Sequence, residues 1–233
     1  MTPPGDPSDA ALVLRRVPAF ADLAPSILQA VARIATRRRF KAGQVICLEG
    51  EPATVIYLLE SGWVKATRLS PAGREQALRF VRAPDVFGDV AVFAHLSYPG
   101  TIVALEDVTA WAVDGAAFVD MVGRHPPLAL AVIRMLSERI LSFTHLVEDL
   151  SLRSVEARLA LNLLRNAQAG PDGLSVPRRG WTTFDEMAAR LGTVRDVLSR
   201  ALRKLEEEGT LRVERDQIVL LDVDGLAARG RAP

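Results

Sequence analysis

Cysteine is almost absent from this sequence. Cys47 stands alone among 233 residues, which excludes an internal disulfide and any all-cysteine iron–sulfur or zinc centre built from one chain. Histidine is scarce too: His95, His125 and His145 show no metal-ligand spacing. A cupin-type β-barrel enzyme would need several histidines and carboxylates inside its barrel, and the β-rich part of this chain offers only His95. No Ser/His/Asp or Cys/His constellation is evident, and Cys47 lies in an apolar run that reads as core. Catalysis is therefore not expected. No run of about eighteen apolar residues exists, so no membrane span is predicted. The opening MTPPGDPSDA lacks a basic segment followed by an apolar one, so a secretory leader is not expected and a reducing, cytoplasmic location is. Neither sign of charge dominates. With 29 Lys and Arg against 28 Asp and Glu, the net charge is +1, and any nucleic-acid binding must come from a local patch.

The residues present are 49% apolar and 24% charged, enough for the cores of two ordinary domains. Residues 1–10 are rich in Pro, Gly and Asp and are expected to be a disordered tail. Helical spacing follows over 18–23 and 26–35, then Arg37, Arg38 and Arg39 read as a solvated basic surface. From Phe40 the period changes to two. Short β-type runs recur at 44–48, 55–60, 62–69, 75–81, 86–87, 100–106 and 109–113, punctuated by glycine and proline. That pattern predicts an antiparallel β-barrel or roll, in a first domain assigned to 11–125 and closed by a short helix at 115–123.

The longest helical signal covers 128–150. Ile133, Leu136, Ile140, Phe143, Val147 and Leu150 are spaced 3, 4, 3, 4, 3, an a/d seam that asks for a partner helix. The simplest partner is a second copy of the chain, so 126–152 is assigned as a dimerisation helix, with its opposite flank packing on the roll. A last domain is expected over 153–233. It begins with a helix at 155–168, and a small hairpin near 174–177 and Trp181 follows.

Residues 182–209, TTFDEMAARLGTVRDVLSRALRKLEEEG, read as two helices around a tight turn. Thr183 with Glu186 forms a capping box, Gly192 ends the first helix, and Thr193 is placed to cap the second. Val197, Leu198, Ala201, Leu202 and Leu205 give the second helix a buried stripe. Arg195, Asp196, Ser199, Arg200 and Arg203 share the opposite face. An arginine can donate two hydrogen bonds to guanine and a carboxylate can accept from cytosine, so this face fits the reading helix of a helix-turn-helix. Residues 211–214 and 217–221 flank Arg215 and Asp216 as a two-stranded wing, and Arg212 and Arg215 are candidate phosphate contacts.

The order of parts, with Lys41-Ala-Gly-Gln-Val-Ile46, Glu49-Gly50-Glu51, Leu59-Glu-Ser-Gly62-Trp-Val-Lys65, Gly73-Arg-Glu75, Val86-Phe-Gly-Asp-Val-Ala91 and Leu191-Gly-Thr-Val-Arg-Asp-Val-Leu-Ser-Arg200, resembles the CRP/FNR family of bacterial transcription regulators over nearly the whole chain. The resemblance implies an α+β fold: a β-roll of the cyclic-nucleotide-binding type, a dimer helix and a C-terminal winged helix-turn-helix. It places Arg195, Asp196 and Arg200 on base-reading positions and Ser199 on one used by the fumarate–nitrate branch. Thr182, Thr183, Thr193 and Arg203 complete the candidate DNA-contacting set. Asp196 is one methylene shorter than the family's usual glutamate. The expected activity is that of a homodimer on a near-palindromic DNA site, in contact with RNA polymerase.

The effector site departs from the family pattern. Members that bind cyclic AMP present Gly-Glu to the ribose and Arg-Ser to the phosphate. Here Gly88-Asp89 keeps a version of the first, while Tyr98-Pro99 supplies neither a guanidinium nor a hydroxymethyl group, and proline has no N–H to donate. Thr101 completes that wall of the candidate pocket. Phe143 and Thr144 stand where polar groups would meet adenine. Control by cyclic AMP is therefore not expected. A cysteine-held cluster is excluded by the single Cys47. The alternative is regulation through the roll by an unidentified small ligand or by a gas on haem, which one histidine can hold, His95 being the candidate.

Overall fold

The computed structural model describes residues 6–69, 75–170, 173–178 and 183–231, with the backbone alone at 145, 146, 149 and 150. The chain divides into two compact units, Met1–Leu141 and Ser142–Pro233. The division falls inside the long helix.

The first unit runs α1 (Pro7–Arg16), a 3-10 turn (Pro18–Phe20), α2 (Pro25–Arg33), β1 (Ala35–Phe40), β2 (Val45–Cys47), β3 (Val55–Ser61), β4 (Trp63–Leu69), β5 (Glu75–Arg82), β6 (Asp85–Phe87), α3 (Asp89–Phe93), β7 (Thr101–Ala104), β8 (Val108–Asp114), α4 (Gly115–Arg124) and the start of α5 (Pro126–Leu152). Two antiparallel four-stranded sheets, in the orders β1-β8-β3-β6 and β2-β7-β4-β5, form the roll. β3 explains why a near-continuous apolar run sits here. Ile56 and Leu58 face a core shared with Phe20, Leu28, Trp111 and Leu128, while Tyr57 and Leu59 face the roll interior with Val64, Phe87 and Tyr98. A strand buried on both sides needs no polar alternation.

Two expectations are corrected in this unit. Residues 7–10 are not a disordered tail but the first turns of α1: Asp6 accepts a hydrogen bond from Ser8 N at 2.9 Å, Pro7 opens the helix, and Ala10 is fully buried. An Asp N-cap and a Pro at the first helical position favour a helix start, although the composition resembles that of a loop. Arg37 is not solvated. It lies half-buried in β1, ion-paired with Glu60 and 5.7 Å over the Trp111 ring, whose Nε1 donates to Glu60 at 2.8 Å. Arg38 and Arg39 beside it are exposed.

α5 carries two apolar faces. Leu128, Ala131, Val132 and Met135 are buried in the roll's core, with Leu136 packed at its edge. Ile133, Ile140, Phe143 and Val147 are 49–66% exposed. The side chain of Leu150, the last seam position, lies outside the described residues.

The second unit continues with α6 (Val155–Asn166), β9 (Gln168–Gly170), β10 (Gly173–Pro177), α7 (Phe184–Arg190), α8 (Arg195–Glu207), β11 (Leu211–Val213), β12 (Gln217–Leu220) and α9 (Val223–Arg231). Its antiparallel sheet is ordered β11-β12-β10-β9. Leu159 and Leu163 of α6, Leu198 and Leu205 of α8, Ile218 of β12 and Leu226 of α9 close one core. Truncating any of these to alanine would cost about 2–5 kcal/mol. No single helix among the described residues is long and apolar enough to cross a membrane.

Candidate nucleic-acid interface

Thr183 caps α7 by accepting from Glu186 N at 3.2 Å. Ala188 and Leu191 are buried, with Phe184 and Met187 packed beside them. The chain then turns at Gly192, whose φ of +63° belongs to the left-handed region that a residue without Cβ enters most easily. Thr193 N donates back to Ala188 O at 2.9 Å. Thr193 does not cap the second helix, contrary to the sequence expectation. The N-cap is Val194, 46% exposed and without a side-chain cap, because the turn takes up Thr193. Thr182 lies outside the described residues.

α8 separates its faces cleanly. Leu198, Ala201, Leu202 and Leu205 are buried, while Arg195, Asp196, Arg200 and Arg203 are exposed and Ser199 is half-buried. The sequence-predicted reading residues thus share one open surface beginning at the first turn. Arg195 Nη1 lies 3.4 Å from Asp185 on α7 with both side chains over 60% exposed, a pair worth little in water. Further along, Lys204 Nζ bonds both oxygens of Glu156 on α6 at 2.8 and 3.0 Å, and Arg229 of α9 joins Glu156 at 2.9 Å and Glu208 at 2.5 Å. Glu206, Glu207 and Glu208 close the helix, all exposed. Arg195, Arg200, Arg203 and Lys204 stand against Asp196 alone over 195–204, and the carboxylates gather in the last turn, so the span before Glu206 is the part of the helix whose charge suits a phosphate-lined groove.

The candidate effector residues are arranged differently. Gly88 has φ +82°, and a Cβ there would stand 2.9 Å from Val55 O. Asp89, 1% exposed, opens α3 and is ion-paired with Arg139 of α5. Arg139 Nη2 also donates to Val86 O at 2.7 Å and lies 3.6 Å from Asp85. Arg79 completes the group at 2.5 Å from Asp85, its guanidinium held below its ordinary pKa by burial and then by Arg139. Tyr98 is 6% exposed in the roll interior and its hydroxyl donates to Val55 O at 2.8 Å; burial raises its pKa. Cys47 sits in the same core, its thiol pushed up to about 12 chiefly by burial. Thr101 accepts from Glu49 N at 3.2 Å. Phe143 and Thr144 are exposed on α5, and His95 is exposed in a turn with φ +53°. No group of three or more potential metal ligands occurs among the described residues.

Sequence reasoning does not single out Arg139, Arg79 or Asp85. The i, i+7 relation of Arg139 to Val132 on the buried flank of α5 is a signal for the first; nothing local marks the other two.

A roll followed by a long helix and a winged helix-turn-helix defines a class of DNA-binding regulators. The cyclic nucleotide-binding domain family matches residues 37–125, and the Crp-like helix-turn-helix domain family matches 157–229. The chain belongs to the CRP/FNR family of transcription regulators. It is 27% identical to the CRP-like cAMP-activated global transcriptional regulator of Mycobacterium tuberculosis (strain CDC 1551 / Oshkosh), over 94% of this chain and 99% of that one. It is 28% identical to the cyclic AMP receptor protein of Thermus thermophilus over 84% and 88% of the two chains. Among solved structures, a CRP-family transcriptional regulator from Thermus thermophilus superposes with a TM-score of 0.68 at 26% identity, covering 83% and 96%. FixK2 from Bradyrhizobium japonicum shares the fold, with a TM-score of 0.73 at 23% identity over 86% and 99%.

Proposed function

We propose that the chain is a cytoplasmic, non-enzymatic regulator that binds a near-palindromic DNA site as a homodimer and is not controlled by cyclic AMP. The observation that carries the DNA reading is the exposed Arg195, Asp196, Arg200 and Arg203 on one face of α8, ahead of its closing carboxylates. Arg195, Asp196, Ser199 and Arg200 meet base edges, and Arg203, Thr183 and Thr193 serve the phosphates; Thr182, outside the described residues, stays a candidate on sequence alone. Two half-sites lie about one helical turn apart, matching two α8 helices related by a two-fold axis. The exposed apolar stripe Ile133, Ile140, Phe143 and Val147 supports the dimer. An uncovered seam of that kind marks an interaction surface. RNA polymerase is the expected protein partner on DNA.

The residues facing the roll do not fit a cyclic nucleotide. Asp89, which would meet the ribose, is engaged by Arg139, and Tyr98 fills the interior that a ligand would need. No arginine or serine stands at 98–99 to receive the phosphate. An anion buried without such a partner would lose its strongest contact. The Mycobacterium relative is described as cAMP-activated; the groups at 98–99 of this chain argue against carrying that property over.

In-vitro selection of random duplexes at fixed moderate salt tests the reading, with and without cyclic AMP. The expected outcome is a two-fold symmetric site enriched equally in both arms. No enrichment from a folded dimer would defeat effector-free binding. A tenfold or greater tightening by cyclic AMP, about 1.4 kcal/mol, would defeat the reading of the roll.

A further inference from the structure

The wing is held by a residue outside both the helix-turn-helix and the hairpin. Arg178 directly follows β10. Its backbone N–H donates to Asp216 O at 2.7 Å, extending the β10–β12 ladder by one rung. Its Nη1 donates to Glu214 O at 3.1 Å, and its guanidinium carbon lies 5.2 Å from the ring centroid of Phe184, the first residue of α7. Glu214 and Gln217 close the hairpin turn through Glu214 N to Gln217 O at 2.9 Å. The Glu214 carboxylate accepts from Arg212 at 2.9 Å and Gln217 at 2.8 Å. Arg215 and Asp216 are left exposed at the tip.

These contacts join two parts that touch DNA in different places. The turn is short, polar and solvent-facing, with little apolar burial to fix its direction. A planar guanidinium can stack on a ring while its fork donates to a carbonyl, which an ammonium cannot do. Arg178 turns Nη1 to Glu214 O and its face to Phe184, so that side of its guanidinium is directed at the protein. Arg215 is the cation that the turn presents outward.

We propose that Arg178 is a positioning residue for DNA binding: by fixing the Glu214–Gln217 turn against Phe184, it aims Arg215 at a backbone phosphate flanking the site read by α8. The inference rests on the DNA-binding reading above.

The test compares the full chain with Arg178→Ala, Arg178→Lys, Arg215→Ala and the Arg178→Ala/Arg215→Ala pair. Affinity for the selected duplex is measured against salt, and amide exchange at Glu214 is measured without DNA. One lost phosphate contact lowers the salt slope by about 0.9. A symmetric dimer carries two such turns, so Arg178→Ala and Arg215→Ala should each lower it by about 1.8, the pair should be no worse than either, and base preference should stay unchanged. Arg178→Lys should restore the slope only in part. Glu214 exchange should quicken about tenfold in Arg178→Ala, with the melting temperature close to that of the parent. Additive slopes in the pair would make Arg178 a DNA contact in its own right and overturn the proposal. Unchanged Glu214 exchange would overturn it whether or not DNA binds. A parent protein that binds no duplex would instead sink the DNA reading, while the exchange measurement still decides the brace. Should Arg178→Ala fail to fold, Phe184→Leu, which removes the stacking face, carries the same slope and exchange expectations, with a lower melting temperature because Phe184 also packs on the core.

Discussion

Arg139 on α5 places its guanidinium on the buried carboxylate of Asp89 at the first residue of α3. The side chains are 10% and 2% exposed, so neither charge has water to fall back on. Removing one partner of such a pair costs about 3–5 kcal/mol, because the other is left buried and uncompensated. Arg139→Met should therefore lower the stability of the first unit by that order, read by calorimetry. Adding Asp89→Leu should recover a large part. A single variant as stable as the parent would mean that Asp89 finds other compensation.

Arg200 stands exposed one turn beyond Asp196 on α8. Arg200→Ala should weaken specific binding by about 1–3 kcal/mol and relax base choice at one position per half-site. Competition binding against single-base variants of the selected site measures both. Equal weakening on every sequence would reduce Arg200 to a phosphate contact.

Ile140 is 66% exposed at the middle of the seam. A lysine there meets its own copy across a two-fold axis and adds like charges to an apolar contact. Ile140→Lys should sediment as a monomer, with operator binding lost at concentrations where the parent saturates. An intact dimer would place the interface elsewhere.

The Glu156 carboxyl is held below the usual range, first by its hydrogen bond from Lys204 and then by Arg229, against the opposing effect of burial. Its folded pKa is depressed, so its contribution is complete above the unfolded value of about 4.3. It is lost as pH falls through the lower, folded one. Urea unfolding of the second unit should weaken over that acid window, and Glu156→Gln should remove that part of the pH dependence. A variant with the parent's acid profile would assign the loss to other carboxylates.

Much of this was legible in the residues because it is local. Gly192, the Thr183 cap and the apolar spacing of α7 and α8 each act within a few positions, and the structure keeps all three. The failures were local patterns that a neighbour reversed. Arg37 lies in an exposed-looking basic run yet pairs with Glu60, 23 residues away. Thr193 has the right chemistry for a cap, but the turn commits its backbone to Ala188 and Val194 takes the position. Pro7 sits in a tail-like stretch and starts a helix whose Ala10, Val13 and Leu14 find the core.

The sequence by itself determined the succession of parts and the exposed charged face of α8, since hydrophobic period and charge segregation along a helix follow directly from residue order. It also determined what Tyr98-Pro99 cannot offer a phosphate. Only the tertiary structure decided that Arg139 would occupy Asp89, that Glu156 would gather Lys204 and Arg229, and that Arg178 would reach from β10 to the wing. Those contacts join residues 36 to 73 positions apart. Long side chains of either charge are compatible with many partners, and the folded backbone alone brings one within reach.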